Sequence, residues 1–254
     1  MAEIDIAFTD DIAEIVLNRP EKKNALRSQD WLLLREIVGE LEKSAARCAI
    51  VRGAGGAFCA GWDLAQTAGG EVDAFRVVSE VVNPALLAIR NVAIPTLASV
   101  EGACVGGGLG IALACDIVLA AENAVMGSPF RNIGILPDSG AHYFLRERLG
   151  HHKACELIYT GRMIDGSEAS RLGLVNAALP QGRLEGRTRD LAELISTGPT
   201  AALMASKRLL LEGGSYEETL HKEAIAQAEI FRTTDATEGL AAFLEKRTPD
   251  FTGR

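Results

Sequence analysis

The stretch Pro95–Asp116, PTLASVEGACVGGGLGIALACD, contains a short apolar run, three consecutive glycines and a second apolar run. Its first part, Pro95–Val100, has the length and composition of a buried strand, and Leu109–Ala114 is predicted to be helical. Between them, Gly106–Gly108 would place unpaired backbone N–H groups at the N-terminus of that helix, where the helix dipole favours negative charge. The stretch therefore predicts an α/β unit whose glycine loop can stabilise negative charge.

Three interpretations of this glycine loop compete. A dinucleotide-binding loop could be drawn through Gly106, Gly108 and Gly110, but the spacing is not G-x-G-x-x-G and no acidic residue follows at a second strand end. A purely structural turn is the second interpretation. The third is an oxyanion hole, in which glycine lets a ligand approach the backbone closely and free N–H groups bind it. We favour the oxyanion hole.

Short apolar runs alternate with helical patterns on both sides of this stretch. The first two runs, separated by Asp10 and Asp11, predict a β-hairpin, and Ser28 is the predicted N-cap of the helix that follows. The predicted strands are Ile4–Phe8, Ile12–Leu17, Cys48–Val51, Pro95–Val100 and Ile117–Ala121, and the predicted helices are Ser28–Lys43, Asp73–Ile89 and Leu109–Ala114. Such alternation predicts an α/β layered fold with mostly buried strands.

The C-terminal part of the chain is predicted to be helical throughout. Its periodic apolar segments are Thr188–Ser196, Thr200–Leu211, Tyr216–Phe231 and Ala236–Glu245. We therefore divide the chain into an α/β core, residues 1–187, and a C-terminal helical region, residues 188–254.

Composition excludes several classes of function. The 254 residues carry a formal net charge of −8, and 48% of them are hydrophobic. Nucleic-acid binding is not expected, because phosphate backbones require clustered Lys and Arg. A membrane span is not expected either, because the longest nearly uncharged run, Ala103–Ala121, is interrupted by glycines and by Asp116.

Cysteine usage and the N-terminus indicate the compartment. The five cysteines include no C-x-x-C pair, and their odd number and wide spacing do not suggest a disulfide framework. Four of them lie in apolar runs, and we predict small buried hydrophobic residues in a reducing environment. The segment Met1–Asp5 is acidic and lacks the apolar core of a signal peptide. We therefore expect a cytoplasmic protein.

A second glycine-containing loop, Phe58–Leu64 (FCAGWDL), precedes the first by some forty residues. Together with PTLASVEGACVGGGLGIALACDIVLAAENAVMGSPFRNIGILPDSGAHYFL at Pro95–Leu145, it resembles the crotonase (enoyl-CoA hydratase/isomerase) superfamily. Further segments resemble that family in the same order, namely LNRPEKKNAL at Leu17–Leu26, YTGRMIDGSEASRLGLVN at Tyr159–Asn176 and EGLAAFLEKRTPDF at Glu238–Phe251. The resemblance implies a repeated ββα spiral core with a C-terminal helical tail, and a coenzyme A thioester as substrate.

The resemblance also assigns the oxyanion hole to the backbone N–H groups of Trp62 and Gly107. Two such donors would stabilise the enolate that forms from a thioester carbonyl. Lys22, Lys23 and Lys246 are candidates for the CoA phosphates, the last from a neighbouring subunit, although each could equally be a solvated surface charge. The other implied substrate- or CoA-binding residues are Ala25, Ala60, Asp63, Leu64, Gly106, Pro129, Phe130 and Phe243.

Two positions depart from the hydratases of this family. These enzymes carry a glutamate where this chain has Gly110, and a second glutamate where it has Phe130. Addition of water to a double bond needs a base that activates the water and an acid that protonates the α-carbon. Neither glycine nor phenylalanine can supply a proton or accept one, so ordinary hydratase activity is not expected.

Asp138 is the remaining acid–base candidate. The segment IGILPDSGAHYFLRERLG looks most similar to the 1,2-epoxyphenylacetyl-CoA isomerases, in which an aspartate at this place faces the substrate. An apolar neighbour such as Phe130 would raise the pKa of this carboxyl and make it a better base. Two alternatives stay open: Asp138 could simply cap a helix, or it could act as a nucleophile assisted by His142, His151 or His152.

We therefore predict an acyl-CoA isomerase that needs no metal and no cofactor other than the CoA of its substrate. The alternatives are an enoyl-CoA hydratase with other acid–base residues and a non-catalytic CoA-ester binding protein. The resemblance implies a homotrimer or a hexamer built as a dimer of trimers. Asp116 and Glu122 are interpreted as structural, and the acyl end of the pocket is predicted to lie around Thr67–Val82.

Overall fold

A computed structural model describes residues 3–67 and 73–253 of the chain. Its strands, in chain order, are β1 (Ile4–Thr9), β2 (Ile12–Leu17), β3 (Cys48–Gly53), β4 (Thr96–Val100), β5 (Ala103–Val105), β6 (Ile117–Ala121), β7 (Val125–Gly127), β8 (Ile164–Asp165) and β9 (Ala177–Leu179). They form a six-stranded sheet in the order β1-β2-β3-β4-β6-β9 and a three-stranded sheet in the order β5-β7-β8.

The large sheet carries the core. β1 and β2 pair as the predicted antiparallel hairpin, and every later neighbour in this sheet is parallel. All five residues of β4 are buried, as expected for a central parallel strand with both faces covered. The small sheet lies where the chain leaves β4, so that β5 leads directly into the glycine loop at Gly106–Gly108.

Helices cover both sheets. They are α1 (Ser28–Leu41), α2 (Ala74–Arg76), α3 (Asn83–Asn91), α4 (Gly107–Ala114), α5 (Ala141–Thr160), α6 (Gly166–Leu172), α7 (Gln181–Ser196), α8 (Thr200–Glu212), α9 (Tyr216–Ile230) and α10 (Thr234–Glu245). Every residue of α4 is buried, which fits a central helix that is apolar on all sides. Within the ranges 3–67 and 73–253, no helix is both long and apolar enough to cross a membrane.

The start of α1 differs from the prediction. Ser28 is the first helical residue and Arg27 is the N-cap, so the prediction that Ser28 caps the helix was wrong. The cap function passes to Asp30, whose carboxylate accepts a hydrogen bond from the Arg27 backbone N–H at 2.8 Å and pairs with the Arg27 guanidinium. The predicted apolar stripe of this helix is confirmed, because Trp31 and its periodic partners are buried.

The predicted helix Asp73–Ile89 is interrupted. A π-helical segment, Val77–Val82, separates α2 from α3. Pro84, in the first turn of α3, has no N–H to donate to a carbonyl four residues earlier. A wide π turn directly before the proline relieves that mismatch, since it changes which carbonyl groups are paired.

The helix predicted from Thr188 begins earlier, at Gln181. Its first turns contain Gly182 and Gly186, which lower intrinsic helix propensity and hide the pattern in the sequence. Leu184 is nevertheless buried, and α7 packs on β3, β4 and β6. Packing of one apolar side chain on the sheet thus outweighs weak local propensity.

Candidate active site

Asn24 holds the first glycine loop in place. Its side chain is fully buried, and its Nδ2 donates to the carbonyl groups of Ala54 at 2.9 Å and Ala57 at 2.7 Å. Its Oδ1 accepts from the backbone N–H of Arg19 at 2.8 Å. Asn24 adopts a left-handed backbone conformation, φ 57°, which asparagine tolerates better than most residues. The segment that precedes Phe58 is therefore joined by hydrogen bonds to the turn after β2.

The loop then pairs with Leu26 in a way that orients Trp62. Leu26 donates from its N–H to the carbonyl of Gly61 at 2.8 Å and accepts from the N–H of Asp63 at 2.9 Å. These two bonds form a parallel bridge between Leu26 and Trp62. In such a bridge the central residue directs its own N–H to the opposite side. The N–H of Trp62 therefore points away from Leu26.

The second glycine loop approaches the first loop at Gly61. A methyl group built on Gly61 would lie 3.0 Å from the backbone nitrogen of Gly107 and 2.7 Å from the carbonyl oxygen of Val105. Gly61 has φ +91°, so only glycine meets both the backbone angle and this close approach. The N–H groups of Trp62 and Gly107 consequently lie close together, one on each loop.

Both N–H groups are available to a ligand. Within the part of the chain that the structure describes, neither Trp62 nor Gly107 donates a backbone hydrogen bond. Gly107 is the first residue of α4, where a helix leaves its N–H groups unpaired. These two N–H groups, with a helix N-terminus behind that of Gly107, are the donors predicted for an oxyanion hole, and that role stays a prediction.

Aromatic rings surround the second loop. The Trp31 ring, fully buried in α1, would lie 2.8 Å from a methyl group built on Gly107, so this position has no room for a side chain. The Phe130 ring would lie 3.2 Å from one built on Gly106. The half-buried Pro129 begins the short 3-10 turn that carries Phe130. Two aromatic rings thus lie against the second loop, at Gly106 and at Gly107.

Asp138 lies on the turn before α5, next to this loop. Ser139 donates from Oγ to Oδ1 of Asp138 at 2.8 Å, and the same Oγ would be 3.5 Å from a methyl group on Gly107. Burial raises the pKa of Asp138, and the hydrogen bond from Ser139 only partly offsets this shift. The alternative that Asp138 caps α5 was wrong, because the N-cap is Gly140 and no side chain caps that terminus.

Ser139 also occupies the space beside Gly110. A methyl group on Gly110 would lie 2.4 Å from the carbonyl oxygen of Ser139 and 2.7 Å from its Cβ. Ser139 is 3% exposed and has φ 55°, a left-handed conformation that is uncommon for serine. The turn of Ser139 therefore excludes any side chain at this position of α4.

The predicted CoA-binding residues near the first loop include exposed side chains and residues that bond to Arg19. Lys22 and Lys23 are exposed, and the carbonyl of Lys23 accepts from the N–H of Ala60 at 2.9 Å, so this turn contacts the loop. Asp63 pairs with Arg19 at 2.8 Å, and that hydrogen-bonded guanidinium lowers the pKa of Asp63. Ala25, which is buried, accepts from Arg19 through its carbonyl, and Leu64 is 56% exposed beside the loop.

Within the described residues, no hydrogen bond or ion pair joins the other predicted residues to the two glycine loops. Phe243 is 81% exposed, and Lys246 ends α10 in a left-handed conformation. His142 is exposed on the first turn of α5, and His151 lies 3.7 Å from Cys155. His152, its neighbour, is also exposed. Of the predicted acyl-pocket segment, residues 68–72 lie outside the described residues.

Several titratable groups have structural roles. Asp116 pairs with Lys207 at 2.8 Å, and burial raises the pKa of Cys59 to about 12, so its thiol stays protonated. The cysteines are free, and four are buried as predicted. Within the described ranges, no group of three or more His, Cys, Asp or Glu side chains could hold a metal ion.

Sequence reasoning missed Asn24, Ser139 and the role of Trp31. Asn24 carried a usable signal, because an asparagine directly after a Pro-containing turn is suited to a left-handed conformation. Ser139 and Trp31 carried none, since each acts through a contact with an α4 glycine that is distant in sequence. Only the folded chain brings these residues together.

The chain is similar to a known protein family and to several of its members. Residues 7–254 match the family model described as "Enoyl-CoA hydratase/isomerase". A protein of Rhodobacter capsulatus named "Probable enoyl-CoA hydratase" is 36% identical over 251 residues, 97% of this chain and 96% of that protein. The human "Enoyl-CoA hydratase domain-containing protein 2, mitochondrial" is 37% identical over 252 residues, 96% of this chain and 86% of the relative.

The same holds for solved structures. The crystal structure of an enoyl-CoA hydratase from Bacillus anthracis superposes with a TM-score of 0.95, at 32% identity and with all of both chains covered. The protein thus has the α/β crotonase fold with a C-terminal helical region, as predicted, and this fold defines an enzyme class that acts on CoA thioesters. The chain belongs to the enoyl-CoA hydratase/isomerase family.

Proposed function

We propose that this protein is an acyl-CoA isomerase in which Asp138 moves the proton. The observation that carries the proposal is the turn at Ser139. Its backbone fills the place where a hydratase glutamate would start at Gly110, and the Ser139 hydroxyl that donates to Asp138 lies beside Gly107. Phe130 replaces the second glutamate with an apolar ring. One carboxylate therefore remains, which suits a proton shuttle better than the addition of water.

The proposed reaction uses one base and two fixed donors. The Asp138 carboxylate removes a proton from a carbon near the thioester, and the electron pair moves to the carbonyl oxygen to form an enolate or dienolate. The N–H groups of Trp62 and Gly107 hydrogen-bond that oxygen, and loss of one such donor costs about 10²–10³ in rate. Asp138 then returns the proton to a different carbon, which shifts the double bond. Burial raises the pKa of Asp138 and so increases its basicity.

The substrate is proposed to be an enoyl-CoA or an epoxyphenylacetyl-CoA thioester in a cytoplasmic setting. Lys22 and Lys23 lie on the turn that contacts the first loop, and would bind the CoA phosphates there. We further propose a homotrimer, or a hexamer made of two trimers, in which Phe243 and Lys246 of a neighbouring subunit complete the CoA site. Their exposure at the end of α10 is compatible with such a role.

The test is proton exchange in deuterated water. The protein is incubated with 2-enoyl-, 3-enoyl- and dienoyl-CoA esters, and deuterium incorporation and double-bond position are followed by mass spectrometry. We expect both exchange and isomerisation, with a loss of about 10²–10⁴ in Asp138→Asn. Asp165→Asn is the matched control, because Asp165 is an aspartate that does cap a helix, α6, where asparagine serves equally well.

A second candidate is an enoyl-CoA hydratase, because relatives such as the Rhodobacter capsulatus protein are named as hydratases. Rapid hydration of crotonyl-CoA without double-bond migration would favour this candidate and contradict the isomerase. Absence of exchange with every ester would favour a third reading, a CoA-ester binding protein without catalysis. The same set of incubations therefore separates the three functions.

A further inference from the structure

Two arginines lie against a pair of aromatic rings outside the active-site loops, Arg90 against both rings and Arg148 against one. Arg90, in the last turn of α3, lies 5.1 Å from the centroid of the Tyr143 ring and 5.4 Å from that of Phe144. Arg148, one turn further along α5 than Phe144, lies 5.9 Å from the Phe144 ring. The two rings contact each other edge to face at 5.3 Å. The four side chains form one cluster between α3 and α5.

Neither guanidinium in this cluster has an acidic partner. Across residues 3–67 and 73–253, Arg90 has one hydrogen bond, from Nη2 to the hydroxyl oxygen of Tyr143 at 3.2 Å, and Arg148 has none. Other partly buried arginines of the described chain all pair with carboxylates, namely Arg19, Arg27, Arg47, Arg52, Arg162 and Arg189. The cluster therefore contains two partly buried arginines without a carboxylate partner, whereas the other partly buried arginines of the described chain have one.

The surroundings make this arrangement unfavourable without an anion. Burial, and then the charge of Arg90, lower the pKa of Arg148, so both the loss of water and like-charge repulsion act on it. Contact with the aromatic faces, and the neighbouring Tyr143, act in the opposite direction and favour the charged form. Phe144 is 6% exposed and forms the buried side of the cluster. Tyr143 is 48% exposed, so its side of the cluster is open to solvent. A small ligand can therefore reach the guanidinium groups.

We propose that Arg90, Arg148 and Tyr143 form a binding site for a phosphate-type oxyanion. Two guanidinium forks from different helices and one phenolic hydroxyl offer more donors than a single carboxylate can accept, whereas a doubly charged tetrahedral anion can accept from all three. The hydroxyl of Tyr143 already accepts from Arg90, so its own hydrogen is free to point at the ligand. The bound anion would hold α3 against α5.

This site contains none of the proposed CoA-phosphate residues, and the proposal does not depend on the isomerase activity. Its test uses inorganic phosphate as the probe, at constant ionic strength with chloride as the reference anion. Binding is measured by isothermal titration calorimetry and by the phosphate-dependent shift in Tm. We expect saturable binding, weakened about ten-fold or more in Arg148→Met and in Arg90→Met, because each removes a charge-assisted donor. Methionine keeps the apolar contact with the ring.

Two controls identify the site. Arg146→Met removes an exposed arginine of α5 that pairs with Glu147, and it should leave the phosphate affinity unchanged. The double variant Lys22→Met with Lys23→Met should also keep it, which excludes the CoA site as the source of the signal. Circular dichroism and Tm without phosphate show that each variant is folded.

Three results would overturn the proposal. The first is no saturable effect of phosphate on the parent protein. The second is an unchanged affinity in folded Arg148→Met and Arg90→Met. The third is a loss of self-association in these variants, measured by sedimentation, with no effect of phosphate, because the arginines would then serve a carboxylate of a second copy of the chain.

Discussion

Ser139 connects three features of the site through one residue. Its hydroxyl donates to Asp138, its backbone excludes a side chain at Gly110, and its φ of 55° is strained for serine. Strain of this kind persists where the surrounding packing determines the conformation, and it is concentrated at functional sites. The turn is therefore the part of the molecule where small substitutions should have the largest effects.

Asp138→Asn should separate activity from stability. The raised pKa of Asp138 means that the folded state resists its ionisation, so its contribution to stability is full below the ordinary carboxyl pKa and is lost as pH rises through the raised value. At pH 7 the variant should gain up to about 1 kcal/mol in free energy of unfolding, since the group is only half-buried. Urea unfolding from pH 3 to pH 8 checks this, and a variant less stable than the parent at pH 7 would contradict it.

Gly110→Ala should destabilise the protein, although alanine favours helices. The added methyl group would lie 2.4 Å from a backbone oxygen of Ser139, and overpacking against backbone costs about 1–3 kcal/mol. Gly186→Ala is the matched control, because Gly186 is an exposed helical glycine of α7 with open space around it. That change should stabilise by up to about 1 kcal/mol. Equal effects of the two substitutions on Tm would disprove the packing argument.

At this scale the sequence suggested some roles and hid others. Trp62, Gly107 and Asp138 could be proposed because family motifs and the chemistry of the enolate point to them. The loss of space at Gly110 could not, since the residue that fills it lies 29 positions later in the chain. In the sequence, a glycine within a helix indicates only a low helix propensity. The packing contact that requires glycine becomes visible only in the folded structure.

Among the elements, α8 is joined to the large sheet by an ion pair between Lys207 and Asp116. Lys207 is 7% exposed, and its ammonium donates to the carbonyl of Ile94 at 3.0 Å and pairs with Asp116 at 2.8 Å. Asp116 in turn accepts from the N–H of Thr96, the first residue of β4. One ion pair thus joins a C-terminal helix to the ends of two neighbouring strands.

Asp116→Asn should cost about 3 kcal/mol, because it leaves the buried ammonium of Lys207 without a counter-charge while keeping an acceptor for Thr96. Adding Lys207→Met should recover part of this loss, since the unpaired charge is then removed. Chemical denaturation of the single and double variants gives the coupling energy. The exposed pair Arg76–Glu80 is the reference, and Arg76→Met should cost less than about 0.5 kcal/mol. Additive effects at Asp116 and Lys207 would contradict this account.

Elements with a strong internal pattern were predicted well, and elements defined by their neighbours were not. The hairpin of β1 and β2 and the stripe of α1 follow from periodicity within each segment. The three-residue strands β5, β7 and β9 are too short to carry a period, and they exist because a neighbour supplies their hydrogen bonds. The π segment depends on how Pro84 fits against the rest of its helix.

For the whole molecule, the C-terminal helices present more apolar surface than an isolated chain needs. The most exposed large apolar residues there are Leu210, Tyr216, Phe243 and Leu244, each at least 78% exposed. Large apolar patches on a protein surface mark contacts with other molecules. This exposure supports the proposed self-association through the helical region.

Leu210→Glu should dissociate the proposed assembly. Light scattering should give about three or six times the chain mass of 27.0 kDa for the parent protein and a single chain mass for the variant, because a buried charge without a partner is strongly unfavourable. Leu87→Glu is the control, since Leu87 is 55% exposed but lies on α3, outside the C-terminal helices. A monomeric parent protein, or a variant that keeps the parent mass, would exclude the helical region as the interface.

The turn at Ser139 also restricts which substitutions could change the activity of this enzyme during evolution. A lineage acquiring a glutamate at Gly110 as its first step would meet the backbone of Ser139 and lose stability before any new chemistry appeared. The turn must be remodelled first, and that step disturbs Asp138. If Asp138 is the base, as proposed, either order of these two substitutions passes through an intermediate with reduced stability or reduced activity. The proposed isomerisation and the hydration catalysed by hydratases would thus share one fold, but a single substitution at Gly110 would not convert one activity into the other.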